Sequence, residues 1–246
     1  MRAFVLAAGE GQRLRPLTEN IPKPMIEIAG RPILEHNVRM LVRYGVTDIT
    51  INTHYMPDAV TRHFGDGSAF GARISYSHEP ELLGTAGALN PVRDRFDETF
   101  FVIYGDNLTT CDLFALTQRH RASGAAGTVA LFERDDVSQS GVALLDRNDR
   151  LVGFVEKPRV EDAVGHWVNA GLLVLEPSIF RYIPERGASD FGKDVLPAAL
   201  EAGEVLSGYR MTEHLWWIDS LADYERTMHD PSIRFLDGAH NAGTAR

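Results

Sequence analysis

Short continuous apolar runs alternate along this chain with longer stretches in which apolar side chains recur every three or four positions. The first run, residues 2–8, empties into a polar loop, and a brief run follows at 25–28. Residues 32–44 then read as a helix: Ile33, Leu34, Val38, Leu41 and Val42 share one face, and Gly45 ends it. Further strands are predicted at 48–52, 73–77, 99–104 and 128–132, and further helices at 57–64, 85–96 and 113–123. This alternation predicts βαβ units, hence an α/β fold with a mainly parallel central sheet and helices on both faces. Ligands of such sheets lie beyond the carboxyl ends of the strands. The loop after residue 8 and the pair Gly105-Asp106 fall at such ends.

After Gly141 the rhythm changes to shorter strands, at 141–145, 151–156 and 168–175. Helices at 178–183 and 195–202, strands at 205–211 and 216–219 and a helix at 220–229 follow. The pattern implies one domain over 1–230, with halves at 1–135 and 136–230, and a small polar tail at 231–246 expected to be disordered.

Composition narrows the classes. Hydrophobic content of 44% and charged content of 24% are those of an ordinary globular domain. A net charge of −9 argues against nonspecific nucleic-acid binding. No apolar run approaches membrane-spanning length, and the strand-like N-terminus lacks a charged leader, so a cytoplasmic protein is expected. Cys111 is alone, which excludes internal disulfides and cysteine-rich zinc sites. Only three of the 25 basic residues are lysine: Lys23, Lys157 and Lys193. Where arginine is the default cation, a lysine marks a place suited to a compact point charge.

The loop itself reads Ala8-Gly9-Glu10-Gly11-Gln12-Arg13-Leu14-Arg15-Pro16-Leu17-Thr18, with Pro22-Lys23-Pro24 after it. Glycines let backbone N–H groups approach a polyphosphate, cations neutralise it, and flanking prolines restrict the backbone of Lys23. No Gly-Lys-Ser/Thr closes a Walker A loop, and the third glycine of a dinucleotide fingerprint is missing.

The whole string resembles the signature of the sugar-1-phosphate nucleotidylyltransferases, with Ala8 where glycine is usual and Gln12 where threonine is usual. The resemblance implies a Rossmann-like three-layer αβα fold with a small sugar-binding subregion in the second half. Leu6, Ala8, Gly9 and Gly11 would meet the nucleotide, Arg13 the β- and γ-phosphates, and Lys23 the α-phosphate. Leu83-Gly84-Thr85-Ala86-Gly87 is most like the base-binding segment of mannose-1-phosphate guanylyltransferases, with Gly84 and Thr85 beside the base. Glu79 takes the base-contacting position, and a carboxylate only accepts hydrogen bonds. Guanine offers it two adjacent donors and uracil or thymine one, so GTP is favoured over UTP or dTTP. The other reading of Glu79 is a solvated loop charge.

The same resemblance makes Asp106 and Asp219 ligands of Mg²⁺. Asp219 is followed by Ser220-Leu221-Ala222, a departure from the usual pattern, and each aspartate could instead cap the helix after it. Glu156 and Lys157 of Val155-Glu-Lys-Pro158 would take the sugar hydroxyls and sugar phosphate. Gly141, Asn169 and Gly171 would complete that side. Asp190 and Asp194 are read as supports for the loop at Lys193. The expected reaction joins a nucleoside triphosphate and a sugar 1-phosphate in line, releasing pyrophosphate, in a homodimer. A glycosyltransferase is the alternative, although Gly105-Asp106-Asn107 is a poor Asp-x-Asp. So is a regulatory paralogue, although Arg13, Lys23, Asp106 and Lys157 are all present.

Overall fold

The computed structural model describes residues 1–138, 140–156 and 165–238. They form two compact units, each drawn from separate stretches of chain. The first holds Arg2–Glu81, Ile103–Cys111 and the residues from Glu213 on; the second holds Leu82–Val102 and Asp112–Thr212.

In the first unit the strand Arg2–Leu6 pairs in parallel with Asp48–Thr53, which pairs in parallel with Arg73–His78. Ala3, Phe4, Val5, Ile49 and Ile51 are buried, as expected of strands covered on both faces. Asp48 fixes the register at the amino ends, with Arg2 Nε at 3.1 Å and Arg73 Nη2 at 2.6 Å from its Oδ2. At the carboxyl ends, Gly105 N–H donates to Leu6 C=O at 2.8 Å. A Cβ on Gly105 would lie 2.9 Å from that oxygen, so glycine is what lets the two strand ends meet.

The helix Ile33–Arg43 buries Ile33, Leu34, Val38 and Leu41. A core cluster of Leu14, Ile26, Ile28, Ile33, Leu108, Trp216, Ile218 and Leu236 lies in the same unit. It fixes three charged residues at once: Arg13 precedes Leu14, Asp106 is two residues from Leu108, and Asp219 follows Ile218.

Leu236 corrects the expected disorder from residue 231. Asp230 accepts Ser232 N–H at 2.8 Å and Trp216 Nε1–H at 2.9 Å. The chain then continues as the turn Pro231–Arg234 and the short helix Phe235–Gly238, with Leu236 buried. Residues 239–246 lie outside the described residues.

In the second unit Gly127–Glu133 runs antiparallel to Trp167–Leu175 and parallel to Leu206–Arg210. Trp167–Leu175 is antiparallel to Gly141–Leu145, which is antiparallel to Leu151–Glu156. The α/β architecture is as expected, with the parallel strands concentrated in the first unit and a mixed arrangement in the second.

Several elements are shorter than their patterns suggest. The helix expected at 85–96 breaks into Gly84–Gly87 and the 3₁₀ turn Asn90–Arg95, because Pro91 has no N–H to continue the ladder. The segment at 178–183 is also 3₁₀, as Pro177–Tyr182. A single π-type turn, Phe191–Val195, precedes the helix Leu196–Glu201. The strand expected at 216–219 is only Leu215–Trp216, and that at 25–28 only Glu27–Ile28.

Candidate active site

Four predicted residues meet in the first unit. Lys23 Nζ donates to Asp106 Oδ2 at 2.7 Å and to Asp219 Oδ1 at 2.6 Å. Arg13 Nη2 lies 3.1 Å from Asp219 Oδ2, which also accepts from Trp217 Nε1. Neither aspartate caps a helix: the caps are Asp112 for Leu113–Ser123 and Ser220 for Leu221–His229.

The loop is built to deliver the lysine. Gly11 has φ +64°, its carbonyl accepts Leu14 N–H at 2.9 Å and Thr18 Oγ1–H at 2.8 Å. A Cβ there would stand 2.7 Å from Lys23 Cβ, so the chain packs lysine against a bare backbone. Pro22, Lys23 and Pro24 enter the 3₁₀ turn Lys23–Met25, in which Ile26 N–H returns to Lys23 C=O at 3.1 Å.

Burial opposes the charge on Lys23, but Asp106 and Asp219 outweigh it and hold the ammonium above the ordinary lysine value. Burial likewise opposes the Asp219 carboxylate, and Lys23, Trp217 and Arg13 bring it below the usual range. The signs follow from linkage. Asp219 contributes stability above its unfolded value near 3.8, lost as pH falls; Lys23 contributes below 10.5, lost as pH rises through its raised value. Lys23 and Asp219 therefore both carry their charges across the neutral range.

Glu79 is 1% exposed, which removes the solvated-loop reading. Its Oε1 accepts Asn52 Nδ2–H at 2.6 Å, and Asn52 Oδ1 accepts Ala7 N–H at 2.6 Å. Asn52 thus ties the carboxylate to the start of the phosphate-type loop. Replacing Asn52 by alanine leaves the Ala7 N–H buried without this acceptor and removes a donor from Glu79. We expect a loss of about 1–3 kcal/mol in a urea titration, while a loss within error would show the link to be idle.

In the second unit Gly84 has φ +75° and lies against Ser189, whose carbonyl accepts Ala86 and Gly87 N–H at 2.8 and 3.0 Å. Thr85 N–H and Oγ1–H donate to Asp190 Oδ1 at 3.0 and 3.1 Å, and its Oγ1 accepts Phe191 N–H. Asp194 accepts Asp190 N–H at 2.8 Å, which fits its reading as a loop support. Glu156 Oε2 sits where a Cβ on Gly141 or Gly192 would fall, at 2.7 and 2.5 Å. Asn169 spends its Oδ1 on Gly171 N–H at 2.9 Å, and Gly171 has φ +78°. Lys157 lies outside the described residues.

Asn52, Trp217, Ser189 and Gly192 were not singled out by sequence. Asn52 had one signal, a polar amide at the carboxyl end of an apolar strand; the others gave none.

A family model described as nucleotidyl transferase matches residues 2–221. The chain belongs to the nucleotidyl transferase family. A UTP–glucose-1-phosphate uridylyltransferase of Synechocystis sp. is 35% identical over 233 residues, covering 89% of this chain and 60% of that protein. A mannose-1-phosphate guanylyltransferase of Mycobacterium tuberculosis is 36% identical over 219 residues, covering 88% and 60%. The transferase chain therefore spans about 60% of the length of these curated relatives. Among solved structures, HddC from Yersinia pseudotuberculosis complexed with GMP-PN is similar at a TM-score of 0.76 and 25% identity, over 92% of this chain and 97% of that one.

Both departures of this transferase from the usual signature are locally accommodated. Ala8 is buried, and Gln12 Nε2 donates to Glu10 Oε2 at 2.6 Å. Among the described residues no helix is long and apolar enough to cross a membrane.

Proposed function

We propose that this transferase converts a nucleoside triphosphate, GTP first, and a sugar 1-phosphate into an NDP-sugar and pyrophosphate. The observation that carries the reading is the cluster of Arg13, Lys23, Asp106 and Asp219 at the strand ends, in a chain of this family. A sugar-phosphate oxygen attacks the α-phosphorus opposite the departing pyrophosphate. That oxygen is already anionic, so the step asks the protein for positioning and charge neutralisation rather than for a base.

Lys23 takes the α-phosphate and Arg13 the leaving phosphates, while Leu6, Ala8, Gly9 and Gly11 line the nucleotide. Glu79, with Gly84 and Thr85, is assigned to the base, and Gly141, Glu156, Lys157, Asn169 and Gly171 to the sugar phosphate. Asp106 and Asp219 fit Mg²⁺: each presents a hard oxygen within 2.7 Å of one point, Lys23 Nζ. Among the described residues no third His, Cys, Asp or Glu joins them, which suits an ion that keeps positions for phosphate and water. When bound, Mg²⁺ supplies charge neutralisation on the reacting phosphates.

The guanine preference is supported by the acceptor-only chemistry of Glu79, by the guanylyltransferase relative and by the GMP-PN complex of HddC. The uridylyltransferase relative favours a second reading, the same chemistry with UTP. Pyrophosphate release from GTP, UTP and dTTP, each with mannose 1-phosphate and glucose 1-phosphate, tests both. The highest rates with GTP are expected. Highest rates with UTP would establish the second reading, and no release from any pair would overturn the function.

A further inference from the structure

Lys23 is committed twice. Its side chain is 7% exposed, and its ammonium touches both Asp106 and Asp219. Those are the carboxylates assigned above to Mg²⁺, and that ammonium is the one assigned to the α-phosphate. A divalent ion held by those same two oxygens would have to replace Nζ as their common partner, positive against positive in a partly dry place.

We infer that Lys23 is a placeholder cation, filling the two-carboxylate site in the nucleotide-free protein and yielding it to a divalent ion only when a triphosphate draws its ammonium away. The inference rests on the proposed function and adds an order of events to it. Lys23, Arg13, Asp106 and Asp219 sum to no net charge, so the cluster offers a free cation little attraction. A triphosphate changes that balance, because it gives Lys23 a new anionic partner and supplies oxygens to complete an Mg²⁺ shell. Arg13 is not the block: its side chain is 64% exposed, and it meets Asp219 on the oxygen that Lys23 does not use. The ion therefore enters with the nucleotide and not before it.

The test uses Mn²⁺ as a spin probe on the purified chain without nucleotide, read by electron paramagnetic resonance of free Mn²⁺. Wild type should bind it weakly, Lys23→Met and Lys23→Gln at least about tenfold more tightly, and Lys23→Met with Asp106→Asn weakly again. Thermal melts check that each variant is folded. Wild type binding Mn²⁺ as tightly as either lysine variant would overturn the inference, whether or not the variants fold well. So would folded lysine variants that bind no better than wild type. The metal assignment fails separately, if Asp106→Asn and Asp219→Asn keep enzyme-bound Mn²⁺ when GTP is present.

Discussion

Replacing Lys23 by alanine is expected to slow pyrophosphate release by about 10²–10³-fold, the loss seen when one preorganised charge-stabilising donor is removed. The Asp106→Ala variant should lose a similar factor. Lys23→Ala carries a second effect that separates charge from fold. Asp106 and Asp219 would be left sharing a partly buried place without their common counter-ion, at a cost of about 1–3 kcal/mol in unfolding free energy. Adding Asp106→Asn to Lys23→Ala removes the repulsion, so stability should return while the rate does not. Turnover near wild type in Lys23→Ala or Asp106→Ala would refute the role assigned to that residue.

The second large effect is expected at Gly84. A Cβ there would lie 2.5 Å from Ser189 O and 3.1 Å from Ser189 N, at φ +75°. Backbone cannot step aside as a flexible side chain can, so Gly84→Ala must shift the turn and weaken the Ala86 and Gly87 bonds to Ser189. The left-handed backbone adds about 1–2 kcal/mol of its own. We expect a total loss on the order of 2–4 kcal/mol and a KM for the triphosphate raised about tenfold. Gly187→Ala is the control. Gly187 has φ +86° with nothing within 4 Å of its added Cβ, so only the backbone strain should appear. Equal losses at the two positions would show that contact with Ser189 contributes nothing.

The parts of the fold visible in sequence were those with a short-range cause. Apolar runs bounded by polar ends gave the parallel strands, and the Gly, Pro and Lys spacing gave the loop that carries Lys23. The meeting of Arg13, Lys23, Asp106 and Asp219 came from motif resemblance, and the core cluster around Leu14, Leu108 and Ile218 now supplies its physical reason. Other features depend on partners far along the chain. Asn52 acts on residues 45 and 27 positions away, and Thr85 is fixed by Asp190, 105 positions on. No local pattern encodes such pairings. The order of residues 231–238 has the same kind of cause: Ile233 and Leu236 join a cluster with Trp216, whose indole N–H is held by Asp230.

The central claim is that cations bring two anionic phosphates together with no side chain abstracting a proton. The single-turnover rate measured from about pH 8 to pH 9.5 tests this, because a phosphate monoester, with a second pKa of about 6, is almost wholly dianionic there. Lys23 and Asp219 both keep their charges across that window, one held above and one below its ordinary value. A flat profile is expected. A rate that climbs tenfold per pH unit to a plateau inside the window would reveal a general base and contradict it.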